Sequence, residues 1–240
     1  MESFIQEFSR VMLENNRFDF IVTGLKNTFL ITLGSLALGI VLGVIVAVIR
    51  STYDKNKEHF KKNGGISYLI LSILNGICKI YLTVIRGTPV VVQLMIFYFI
   101  IFTSTDNGVA IATFAFGINS GAYVAEIFRS GIMAVDQGQF EAGRSLGLNY
   151  VQTMVYIIVP QMFKVVLPTL CNEFIVLLKE TSVAGYVGVI DLTKAGNTIA
   201  GRTFSYFIPL ITVAIIYLIV VMILTKLVGI LERRLRNSDH

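Results

Sequence analysis

TFSYFIPLITVAIIYLIVVMILT, residues 203–225, runs for 23 residues without one charged side chain. A helix rising about 1.5 Å per residue needs about 20 apolar residues to cross a hydrocarbon core ~30 Å thick. The stretch therefore reads as a membrane span. Working outward, residues 27–49, 87–105 and 107–125 are uncharged runs of the same kind. The whole chain reflects them, with 55% apolar residues, 15% charged residues and a mean hydropathy of +0.74. A soluble domain carries roughly 25% charge. The fold class is all-α and polytopic. An outer-membrane barrel is excluded because its strands would alternate apolar and polar residues over ~10-residue segments.

Five spans are predicted, at about 24–49, 80–104, 108–128, 162–182 and 204–226. The apolar stretch 66–105 is too long for one straight crossing, so the simplest division puts 66–78 near the interface, although two spans there stay open. Residues 50–65 read as a polar loop, and Pro160 reads as a residue that ends or redirects the helix before the fourth span. Residues 1–22 alternate Phe4, Ile5, Phe8, Val11 and Met12 with charge. This pattern suits either a helix lying on the membrane surface or an extension that packs on the spans. Nothing resembling a secretory leader is expected, since the first apolar run begins only after Lys26. Ser35, Gly39, Gly43 and Ala47 recur every four residues, a small-residue ridge that lets a neighbouring helix approach closely.

Cys78 and Cys171 form neither a disulfide framework nor a metal-binding spacing, so no metal site is expected. The net charge of +5 lies between the spans and calls for no nucleic-acid partner. Placing 50–79, 129–164 and 226–240 on one side gives that side 13 Lys and Arg against 6 on the other. By the positive-inside rule the richer side is cytoplasmic. The N-terminus is then outside and the C-terminus inside, which five spans satisfy.

The cytoplasmic segment 136–160 carries EAGRSLGLNYVQTMVYIIVP. Glu141 and Arg144 stand three positions apart on a short helix, and Gly143 and Gly147 remove bulk for a turn or a close approach. Exposed Phe140, Leu146 and Leu148 would suit another protein's groove. This segment resembles the EAA loop of the membrane subunits of binding-protein-dependent ATP-binding-cassette importers, matching at Glu141, Ala142, Gly147, Ile157 and Pro160. Gly143 stands where the family has Ala, and Val159 where it has Leu. YLTVIRGTPVVVQL (81–94), AYVAEIFRSGIMAVDQGQFEAG (122–143) and LPTLCNEFIVLLKETSVAG (167–185) resemble the polar amino-acid subfamily, and the likeness extends over 18–235. Residues 51–78 look longer and more basic than the family's usual connection; such an insertion could touch lipid headgroups or the ATPase, or act as a spacer.

The resemblance implies a type I importer permease fold forming a single transmembrane domain over 1–240, in the cytoplasmic membrane of a bacterium. It further implies a second permease chain, identical or not, a pair of ATPase subunits and an external solute-binding protein that delivers an amino acid. ATP and magnesium would be held by the ATPase partner. This sequence contains no G-x-x-x-x-G-K-[ST] phosphate loop and no catalytic residue is assigned. Phe140, Glu141, Ala142, Gly143, Arg144, Leu146 and Gly147 would dock into the ATPase. The substrate would be arginine, lysine or histidine, with glutamine, glutamate or cystine as the alternative. A secondary transporter is the remote rival.

Glu173 is the most informative charge within a span. A carboxylate at the bilayer centre costs ~2.5–3.5 kcal/mol or more, so it should face a cavity or a cation. It would bind the substrate's ammonium or cationic side chain, or else pair with Arg86 or Lys179. Arg86 belongs to Arg86-Gly87-Thr88-Pro89, where a kink or broken helix is expected. It could hold a substrate carboxylate or lock onto Glu126 as a gate, and the residues favour neither. Tyr98, Tyr123 and Asn172 offer further polar edges, and Thr181 and Ser182 could line the outer side of the cavity.

Overall fold

The computed structural model describes the backbone of residues 2–62 and 65–236, and the side chains of 5–55 and 65–235. Phe4, the basic side chains Lys57, Lys61 and Lys62, and the tail from 237 lie outside the described residues. Every regular element among those described is helical: α1 (Glu2–Phe8), α2 (Phe18–Lys62), α3 (Ile66–Gly87), α4 (Val90–Ile96), α5 (Gly108–Ala134), α6 (Gln137–Ser145), α7 (Tyr150–Thr153), α8 (Val159–Glu180), α9 (Leu192–Thr203) and α10 (Phe207–Arg236). Five segments are long and apolar enough to cross a membrane: Phe18–Lys55, Ile66–Gly87, Gly108–Ala134, Tyr150–Val187 and Phe207–Leu235. The number agrees with the sequence, but three boundaries do not.

First, α2 is a continuous helix of 45 residues and passes straight through the predicted loop at 50–62. That stretch holds neither Gly nor Pro and is rich in the helix former Lys. The first breakers are Gly64 and Gly65, and Gly65 is extended at the start of α3. Second, the apolar stretch divides at Thr88-Pro89, so the crossing helix is 66–87 and not 80–104. Proline lacks an N–H and pushes the residue before it out of the helical region. Accordingly Thr88 is extended, with ψ of 147°, and the expected break at Arg86–Pro89 forms. The chain resumes as α4 and a π-helical turn, Phe97–Ile101. Third, Pro160 neither ends nor redirects a helix. A wider π-helical turn, Met154–Ile158, precedes it and relaxes the ladder where a proline cannot donate. Helix therefore continues from α7 into α8.

The described chain divides into two compact units, one holding the chain up to Ala37 with Pro89–Gly117 and Phe174–Leu227, the other Leu38–Thr88, Ile118–Glu173 and the chain from Val228. In the first, Ile31, Leu94, Phe116, Leu177 and Ala184 pack together, and the Ser35 hydroxyl donates to the Thr113 carbonyl at 2.9 Å. Val11 and Met12 are buried against Ile21, Leu192, Ile199 and Val213, so the N-terminal segment takes the packing option rather than lying free on a surface. Asp191 caps α9 by accepting from Thr193 N at 2.8 Å and Lys194 N at 3.3 Å. Its complete burial pushes the carboxyl upward from the ordinary value, against the pull of those amide donors.

In the second unit the small-residue ridge works as its spacing predicts. A Cβ at Gly39 would stand 3.0 Å from Ser120 Oγ, and Ala47 is 2% exposed. Glycine here lets α2 and α5 come together, with Val46, Cys78, Leu82, Ala122 and Ala125 closing the core beside them. On α3, Ile66, Leu69, Ile70, Ile73, Ile77, Ile80 and Val84 are exposed, an apolar face suited to lipid.

Candidate functional site

The segment 136–160 folds through local rules at both ends of α6. Asp136 is the N-cap, accepting from Gly138 N at 2.6 Å. At the other end Leu148 N donates to Gly143 O at 3.1 Å and Gly147 N to Arg144 O at 2.9 Å. That pair is a Schellman motif, and it demands a left-handed residue at Gly147, whose φ is +79°. Asn149 and Gln152 then exchange bonds of 2.9 Å in a capping box that opens α7.

Gly143 is buried, and a Cβ there would stand 2.7 Å from Thr153 Cγ2 and 2.8 Å from Thr153 Oγ1. Glycine in place of the family's alanine is thus what lets α6 rest on α7. Glu141, Ala142, Arg144 and Gly147 are exposed, and Leu146 is 77% exposed. Two expectations change. Phe140 is half-buried with Lys55 Nζ 2.9 Å from its ring centre, and Leu148 is also half-buried, so neither projects. Glu141 and Arg144 make no ion pair with each other among the described residues; Arg144 turns toward a cavity.

A charge cluster in the same unit was only half visible in the sequence. Glu126 Oε1 lies 3.2 Å from Arg50 Nη1, 3.6 Å from Arg129 Nε and 4.0 Å from Arg86 Nη1. Asp54 Oδ2 is 3.5 Å from Arg129 Nη1. Arg86 also lies over the Tyr123 ring at 5.7 Å. Arg86 thus stands at ion-pair distance from Glu126. The part of Arg50 and Asp54 in this cluster is hidden while 50–62 reads as a loop; once α2 is known to continue, the two share a helix face.

Glu173, on α8, is half-buried and accepts a hydrogen bond of 3.1 Å from the Ser120 hydroxyl. Ser120 is fully buried and is the residue that Gly39 accommodates. Asn172, beside it, is exposed. Arg86, Tyr123, Asn172 and Glu173 thus belong to the second unit, whereas Tyr98, Thr181 and Ser182 belong to the first. Tyr98 packs on the Ile31 core and edge-on to Phe99, with ring centres 4.9 Å apart. Thr181 is fully buried and its hydroxyl donates to Leu178 O at 2.7 Å; Ser182 is half-buried.

Residues 64–237 match the family model described as binding-protein-dependent transport system inner membrane component. The chain belongs to this family. It is a multi-pass inner-membrane permease and not itself an ATPase; in such transporters ATP is bound by a partner subunit. The arginine transport system permease protein ArtQ of Bacillus subtilis (strain 168) is 35% identical over 92% of this chain and 94% of its own length. The putative glutamine transport system permease protein GlnP of Rickettsia bellii (strain RML369-C) is also 35% identical, over 90% and 93%. A solved structure titled as the crystal structure of an amino acid ABC transporter with histidines superposes with a TM-score of 0.78, 36% identity and coverage of 90% and 94%. The permease family thereby supports import of an amino acid and removes the secondary-transporter reading.

Proposed function

We propose that this permease carries a basic amino acid, arginine, lysine or histidine, past Glu173, and is driven by an ATPase pair that docks on α6 and the Gly147 turn. The observation that carries the substrate class is Glu173 itself. It is an acidic side chain inside a membrane-crossing helix, where a carboxylate is retained to face a cavity or a cation, and the Ser120 hydroxyl donates to it. Relatives named for arginine and glutamine transport fit a pathway of this kind. The charge distribution supports an external N-terminus and a cytoplasmic C-terminus. An external solute-binding protein would deliver the substrate to a pair of permease chains in the bilayer. Arg86 held to Glu126 would gate the pathway, with Tyr123 and Asn172 of the same unit beside it; Tyr98, Thr181 and Ser182 are the substrate-contact candidates of the first unit. The second reading, glutamine, glutamate or cystine, has Glu173 hold only the α-ammonium.

The test is ATPase activity of the assembled transporter in lipid, with its binding protein and each amino acid in turn. Stimulation by arginine, lysine or histidine, lost in Glu173→Gln, supports the first reading. Stimulation by a neutral amino acid that is equally sensitive to Glu173→Gln supports the second. No stimulation by any amino acid overturns both.

A further inference from the structure

A cavity of about 470 Å³ opens beside α6 in the second unit, lined among others by Asp54 and Lys55 of α2, Arg129 and Met133 of α5, Arg144 of α6 and Thr153 of α7. Its volume falls in the range of small-molecule sites, ~300–1,000 Å³. Its charge is lopsided. The one carboxylate in this lining, Asp54, already faces Arg129, while Lys55 and Arg144 make no ion pair among the described residues. Thr153 is 1% exposed, yet its Oγ1 has no hydrogen-bond partner among the described residues. A buried hydroxyl without a partner is costly to a fold, and here it lines a cavity with surplus positive charge.

We propose that this cavity binds a phosphate group, either on an anionic lipid headgroup or as free phosphate. A carboxylate offers two oxygens; a phosphate presents more, and can meet Thr153 Oγ1, the Lys55 ammonium and the Arg144 guanidinium together. Met133, 68% exposed, gives an apolar lip against which a glycerol backbone can rest. Basic pockets between spans are the usual seats of anionic headgroups. Bound there, the phosphate ties the polar end of α2 to α6. That consequence for coupling rests on the docking role proposed for α6, whereas the binding itself does not.

The test uses the assembled transporter in nanodiscs of phosphatidylcholine with or without phosphatidylglycerol, read by native mass spectrometry, and inorganic phosphate titrated into the phosphatidylcholine-only sample. Retained phosphatidylglycerol identifies the lipid as the source; saturable phosphate binding without it identifies the free ion. In either case Lys55→Gln should lower retention about tenfold and Thr153→Val several-fold, with thermal midpoints confirming that both variants fold. Absence of both ligands from the wild-type complex overturns the proposal, as does equal retention in folded variants. Failure of ATPase docking would instead leave phosphate binding intact, so the two ideas fail separately.

Discussion

Around α6 the chain closes its caps with residues no more than five positions away, from Asp136 to Gly138 and from Gly143 to Leu148. Around Glu126, by contrast, the partners Arg50, Arg86 and Arg129 come from three different helices. The first region draws its capping bonds from its own stretch of chain. The second exists only while α2, α3 and α5 keep their present spacing. In a transporter whose spans must move, a self-sufficient turn suits transmission of a push, and a many-partner carboxylate suits registration of where the helices stand.

Removing the shared carboxylate should be the most damaging way to probe this contrast. Glu126→Gln leaves three arginines facing one another, and the thermal midpoint of the complex should fall by several degrees. The loss should stay below the ~3–5 kcal/mol of a fully buried pair, because the Glu126 side chain keeps 27% exposure. An unchanged midpoint would mean the cluster registers nothing. Gly143→Val comes next. Its side chain would press on Thr153, and overpacking of this kind costs about 1–3 kcal/mol, read as lost amide protection in α6 and α7 by hydrogen exchange. Protection lost instead around Glu126 would show that the turn is not self-sufficient.

Asp191 separates local capping from burial, because it is a local cap carried into the interior. A carboxyl raised by burial holds its proton more firmly in the folded state, so stability falls as pH rises from 3.8, its ordinary value, through the raised one. Asp191→Asn keeps the cap and should flatten that slope with little change in stability. Asp191→Ala should cost about 1 kcal/mol through loss of the cap. A slope that survives in Asp191→Asn would assign it to another group.

What was legible in the sequence follows the same division. The span count, the Pro89 break, the Gly39–Gly43 ridge and the α6 turn are written in contiguous spacing, and they formed. The extension of α2 is hidden by its polar composition, which reads as a loop, although nothing in RSTYDKNKEHFKK interrupts a helix. The Pro160 expectation failed because a π-helical turn absorbs the missing donor, and no single residue signals such a turn. The Arg50–Glu126 contact crosses 76 positions and depends on that α2 extension. Ser120 on Glu173 depends on the approach that Gly39 permits, which spacing shows without naming the partner.

Docking of the ATPase through the Gly147 turn is tested most directly by uptake per ATP hydrolysed in proteoliposomes with binding protein present, comparing Gly147→Asn with Gly147→Val. At φ of +79° asparagine is tolerated, whereas a β-branched residue costs about 1–3 kcal/mol and deforms the turn. The asparagine form should stay close to wild type, and the valine form should keep basal hydrolysis while uptake per ATP collapses. A valine form that imports as many molecules per ATP as the wild type would contradict coupling through this loop.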